Sequence, residues 1–131
     1  MKILTFDIEE WFHILDKPDS NHYDSWKNFS SRIDENVDRI LKILSDRNLK
    51  ATFFCLGWVG EKYPKIIKKI DDYGHEIGTH SHLHKLVYEQ TPDEFDEDLC
   101  KSINILSDIT GKEIISYRAC LLYTSPSPRD A

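Results

Sequence analysis

The chain has 131 residues, 40% of them hydrophobic and 31% charged, a balance that fits one soluble globular domain and excludes a disordered or membrane-embedded chain. Its 17 basic and 23 acidic side chains are interspersed and leave a net charge of -6, so no basic stripe offers itself to nucleic acid. No segment nears the roughly 18 to 20 apolar residues of a membrane span, and MKILTFDIEEWF lacks the apolar length and cleavage site of a secretory signal. The expectation is a cytoplasmic protein without a membrane span.

Strand and helix signals alternate. KILTF is a short apolar, β-branched run, and from Ser31 to Asp46 the residues Ile33, Val37, Ile40, Leu41 and Leu44 recur at helical spacing, with Ser31 and Asp34 resembling a capping box. Between them, residues 11–30 read as a long aromatic loop over the carboxyl end of the first strand, the kind of insertion that carries function. ATFFCL predicts a second strand, followed by a helix in YPKIIKKIDDYG that starts at Pro64 and closes at Gly74. HEIGTH predicts a third strand. A further helix has Thr91 as N-cap, Pro92 at N1 and Glu94 at N3, with Phe95, Leu99, Ile103 and Leu106 on one face and Gly111 past its end. EIISY predicts a fourth strand. Strands separated by helices of this length imply an α/β fold with a parallel sheet, open or closed into a barrel.

In such sheets the working residues collect at the carboxyl ends of the strands. FDIEE, FCLGW, THSHLH and YRA all fall at those ends. Asp7 and Glu9 share one face if the first strand runs through them, and paired carboxylates divide labour between holding a cation and accepting a proton. His80 and His84 stand four apart, suited to one metal if the segment turns helically. On an extended strand His80 and His82 share a face instead. Arg118 follows apolar strand positions and needs a carboxylate partner, for which Asp7 is the nearest candidate. His75, at the entrance of its strand, reads as structural, and His13 and His22 as surface residues. Cys55, Cys100 and Cys120 are too few for a disulfide framework, and the first two read as buried small apolar side chains.

TFDIEEWFH, ATFFCLGWVGEKYP, GHEIGTHSHLH and SYRA, in that order, resemble the first half of a polysaccharide deacetylase of the NodB-homology type, carbohydrate esterase family 4, over residues 1–119. The resemblance implies the N-terminal half of a distorted parallel (β/α) barrel. It further implies a divalent metal, zinc in most members, on an acidic residue and two histidines of an H-[ST]-x-x-H motif. His80, Ser81 and His84 match that motif, which favours His84 over His82. Asp7 matches the family's general base, and with Ile8 where a second Asp is common, Glu9 matches the metal ligand of branches with an acid-x-acid pattern; the two carboxylates are also compatible with shared or exchanged roles. Arg118 resembles the arginine that orients the base. The implied reaction is metal-assisted hydrolysis of the N-acetyl group of an N-acetylated glycan, and Trp11 and Trp26 are candidates to line the sugar groove.

The last residues, CLLYTSPSPRDA, break the pattern: the family continues the arginine motif with proline after Ala119, where Cys120 stands here. Back-translation of this segment resembles a transposon-derived adaptor from short-read library preparation. The expectation is therefore that residues 120–131 are not native, and that the fragment alone lacks the general acid, is marginally stable and is inactive.

Overall fold

The computed structural model describes residues 1–13, 26 and 30–120. Three parallel strands, β1 (Thr5–Ile8), β2 (Thr52–Cys55) and β3 (Glu76–Thr79), lie side by side in chain order. Between them run α1 (Ile33–Asp46), α2 (Gly57–Lys62) and α3 (Pro64–Asp72), and α4 (Pro92–Thr110) follows β3. The register aligns Phe6, Phe53 and Ile77, and then Ile8, Cys55 and Thr79, on one face. That face is covered: Ile8, Phe53, Cys55 and Ile77 join Val37, Leu41, Ile67, Ile70 and Leu106 in one core. Asp7, Phe54 and Gly78 align on the other face, where Arg118 stacks on Phe54 with its guanidinium carbon 4.3 Å from the ring centroid. Gly78 is required there, because a Cβ would lie 2.5 Å from Ser116 Oγ and 2.8 Å from the Phe54 ring.

Local chemistry explains most element ends. The Thr91 side chain accepts from Glu94 N–H while the Glu94 carboxylate accepts from Thr91 N–H, the capping box its sequence predicts, and Gly111 closes α4 in the left-handed region at φ 67°. Pro64 opens α3, and Gly74 follows it at φ 86°. The start of α1 differs from expectation. Arg32 is its N-cap and no local side chain caps it. The buried carboxylate of Glu10 accepts instead from Arg32 N–H at 3.1 Å, from Ile33 N–H at 3.3 Å and from the Ser31 hydroxyl. An anion at a helix N-terminus satisfies otherwise orphaned donors and complements the helix dipole, so a residue from the end of β1 does the work expected of Ser31 and Asp34.

Two further expectations are corrected, and one helix is added. EIISY does not form a strand: it touches β3 through a single bridge, Thr79 with Tyr117, made by Thr79 N–H to Ser116 O and Arg118 N–H to Thr79 O. Ile114 packs into the core while Ile115 is 77% exposed, so alternation has no second apolar layer to meet. Cys100 is exposed on α4, unlike the fully buried Cys55, and both thiols are free. GWVGEK, unassigned in the sequence, is helical because Gly57 and Gly60 let α2 press against α4: a Cβ at Gly57 would meet Ser102 Cα at 2.9 Å. Among the described residues no helix is long and apolar enough to cross a membrane.

Candidate metal centre

The carboxyl ends of β1 and β3 bring the acidic and histidine motifs together. β1 ends at Ile8, so Asp7 lies within the strand and Glu9 just beyond it. His80 follows β3 directly, and the chain then bends through Ser81 and His84, both with positive φ at 70° and 57°. These left-handed turns, unusual for residues with a Cβ, carry His84 back toward His80. One donor atom each from Glu9, His80 and His84 lies within 4.8 Å of the others, and both histidines are buried. His82 goes elsewhere: its Nε2 stands 3.6 Å from Glu61.

The hydrogen bonds say which nitrogen is available. His80 Nδ1 lies 2.9 Å from the Arg118 carbonyl, which only accepts, so Nδ1 carries the proton and Nε2 keeps its lone pair for the site. Burial holds the His80 imidazole below its ordinary pKa, against the opposing pull of Asp7 and of that carbonyl. The ring is neutral, as ligation demands. Glu9 Oε2 approaches His84 Nε2 to 2.8 Å, yet this buried oxygen has no hydrogen bond. A carboxylate oxygen and two imidazole nitrogens converging within 4.8 Å of one another fit a divalent cation. An N2O donor set suits zinc and also its first-row neighbours.

Asp7 stands beside this cluster. Its Oδ2 is 4.0 Å from His80 Nε2, and its Oδ1 accepts from Arg118 Nη1 at 2.8 Å. Arg118 also donates to Thr5 Oγ1 at 2.6 Å, so one guanidinium spans β1 while stacked on Phe54 of β2. The carboxylate is thereby oriented with one oxygen toward the histidines.

The aromatic residues behave differently. Trp11 is half-buried, and its indole N–H donates to the Ser30 carbonyl at 3.0 Å, tying together the two ends of the long loop. Trp26, a candidate for the sugar groove, is 5% exposed and packs edge-on against His13 and Trp58. His13 corrects the surface expectation: it is 2% exposed, and its Nδ1 accepts from Glu10 N–H at 2.7 Å. Burial first, then His84 and His80, pushes its pKa down to about 3. His22 and the tail beyond Cys120 lie outside the described residues. His75 accepts from Ala51 N–H through Nδ1, at the opposite end of β3 from the cluster.

Two contributors escaped the sequence, Glu10 after β1 and Asp98 on α4. Only the three-dimensional packing gives Asp98 its partners, the N–H groups of His82 and Leu83.

Known proteins share this arrangement of chain. A peptidoglycan-N-acetylglucosamine deacetylase from Bacillus cereus is 39% identical over 77 residues, which are 59% of this chain and 28% of that protein. A solved peptidoglycan N-acetylglucosamine deacetylase, in complex with 4-naphthalen-1-yl-N-oxidanyl-benzamide, superposes with a TM-score of 0.66 at 32% identity, over 89% of this chain and 44% of its own. The fold is also that of a wild-type CE4 family pseudoenzyme from Bacillus anthracis, with a TM-score of 0.69 at 24% identity, over 89% of this chain and 34% of that one. The sequence profile described as polysaccharide deacetylase matches residues 3–126, and the chain belongs to that family.

Proposed function

We propose that this chain carries the metal-binding and proton-accepting part of a hydrolase that removes N-acetyl groups from the amino sugars of a bacterial polysaccharide, with peptidoglycan as the first substrate to test. The observation that carries the reading is the convergence of Glu9, His80 and His84 beside an Asp7 that Arg118 holds in place. The names of the relatives, peptidoglycan N-acetylglucosamine deacetylases, support the substrate class. Because the fold alone is shared with a pseudoenzyme, the side chains rather than the architecture favour activity.

In this reading Glu9, His80 and His84 hold a divalent metal, which when bound supplies Lewis-acid polarisation of the acetyl carbonyl and acidifies water. Asp7 accepts the proton of the attacking water. The new C–O bond forms at the carbonyl carbon, the C–N bond breaks as the leaving nitrogen takes up a proton that balances the one Asp7 removed from water, and acetate and a free amino sugar result. Arg118 acts through Asp7: anchored on Thr5 and stacked on Phe54, it fixes which carboxylate oxygen faces the reacting water.

The test is acetate release from peptidoglycan and from N-acetylglucosamine oligomers by the full-length protein with added zinc. Asp7→Asn should retain metal and lose about 10²- to 10⁴-fold in turnover, the range for a general base. Undiminished acetate release by Asp7→Asn would remove Asp7 from the reaction. Metal binding by the wild type with no acetate from either substrate would favour an inactive glycan-binding domain.

A further inference from the structure

We propose that Asp98 is a positioning residue for the metal loop, setting the affinity of the site without touching the ligand; the inference rests on the metal reading above. The loop from His80 to His84 has the conformation that converges two imidazoles only because Ser81 and His84 adopt left-handed backbone angles. Each such residue costs roughly 1 to 2 kcal/mol relative to ordinary backbone, so something must hold the loop in place.

The holding groups can be counted off along the backbone. His80 N–H donates to Cys55 O at 2.9 Å. Ser81 N–H donates to Thr79 Oγ1 at 3.2 Å. The carbonyls of Ser81 and His82 accept from Gly57 N–H at 2.9 Å and Trp58 N–H at 3.1 Å, so α2 secures one side of the loop. The other side belongs to α4. Asp98 Oδ1 accepts from His82 N–H at 2.8 Å and Oδ2 accepts from Leu83 N–H at 3.2 Å. One carboxylate thus grips two successive amides lying between the two ligand histidines.

The grip continues along α4. One helical turn on, Ser102 is fully buried and its hydroxyl meets Thr79 Oγ1 at 2.6 Å, so the same helix face that secures the loop also secures the last residue of β3. A turn further, Leu106 is buried in the core. This spacing of four places all three side chains on one face. Asp98 is therefore fixed by an element anchored in the core, and charge-assisted hydrogen bonds to backbone amides are stronger than neutral ones. Without it, the two amides lose their acceptor and the left-handed turns lose their support. His80 and His84 then sample orientations that miss Glu9.

The experiment measures zinc affinity of the full chain by competition with a chelator, alongside the thermal midpoint of the metal-free protein. Asp98→Ala should weaken zinc by about 10- to 100-fold, the range for partners that orient ligands from behind. Asp98→Asn, which keeps one acceptor oxygen, should fall between the two. The control is Asp71→Asn, a buried carboxylate at the opposite end of the strands that accepts from Lys112 Nζ at 2.7 Å. It should lower the midpoint and leave zinc affinity within about twofold of wild type. Affinity unchanged in both Asp98 variants overturns the proposal, as does an equal loss in Asp71→Asn, which would make the effect general loosening. Failure of the wild type to bind zinc overturns the metal reading itself, and the two failures are told apart by that one measurement.

Discussion

His75 and His80 bracket the same strand, and both engage the backbone through Nδ1, with opposite polarity. His75 Nδ1 accepts from the Ala51 amide, so its proton sits on Nε2 and the ring has no lone pair left to offer. His80 Nδ1 faces the Arg118 carbonyl, so its proton is used there and Nε2 is bare. His13 follows the His75 pattern, accepting from the Glu10 amide. A histidine set against a carbonyl is prepared to ligate; one set against an N–H is committed to structure.

That contrast can be broken by exchange of function. His80→Gln should abolish zinc binding or weaken it by well over the roughly 100-fold ceiling for outer partners, read by the same chelator competition; retention of affinity would mean that Glu9 and His84 suffice. His75→Ala should leave zinc affinity unchanged but orphan the Ala51 amide, at a cost of about 1 to 3 kcal/mol, read by denaturant unfolding. A weaker metal in that variant would erase the distinction between the two ends of β3.

Acid sharpens the comparison at the smallest scale. Burial lowers the pKa of His75, with Lys50 adding to it, and that of His13 falls from 6.5 to about 3. In both cases the unfolded chain binds protons more readily than the folded one. Their contribution to stability is therefore complete above about pH 6.5 and is lost as pH falls, for His13 down to about pH 3. Thermal midpoints of the metal-free chain should decline from pH 7.5 to pH 5, and His75→Gln should show a shallower decline. A pH-independent midpoint over that range would show that neither ring is held neutral.

Much of this was legible in the sequence, for identifiable reasons. α3 and α4 announce themselves through Pro64, the Thr91–Glu94 box and Gly111, signals that act over a few residues. The parallel strands follow from alternation, and the position of HSHLH after one of them places histidines at a strand end. What stayed hidden depends on long-range partners. Glu10 caps a helix that begins more than twenty residues later, across the long loop, and no local pattern marks an acid for that task. Asp98 sits on a helix whose surface is rich in acids, and its two amide partners lie in another segment. Spacing alone left His82 and His84 open and the motif resemblance favoured His84; the left-handed turns at Ser81 and His84 that bring it to the site are ones glycine-based turn rules do not anticipate. EIISY had the composition of a strand but only one apolar side to bury.

Gly78 carries no functional group, yet it should score in a mutational screen like a member of the proposed reaction centre. Its bare backbone makes room for the Phe54 ring, whose face supports the Arg118 guanidinium that holds Asp7. Even a single methyl would push on that ring, and the displacement would be relayed through a stacked cation to a carboxylate two strands away. A map of intolerance drawn from such a screen would therefore outline the mechanical support of the centre as well as its chemistry.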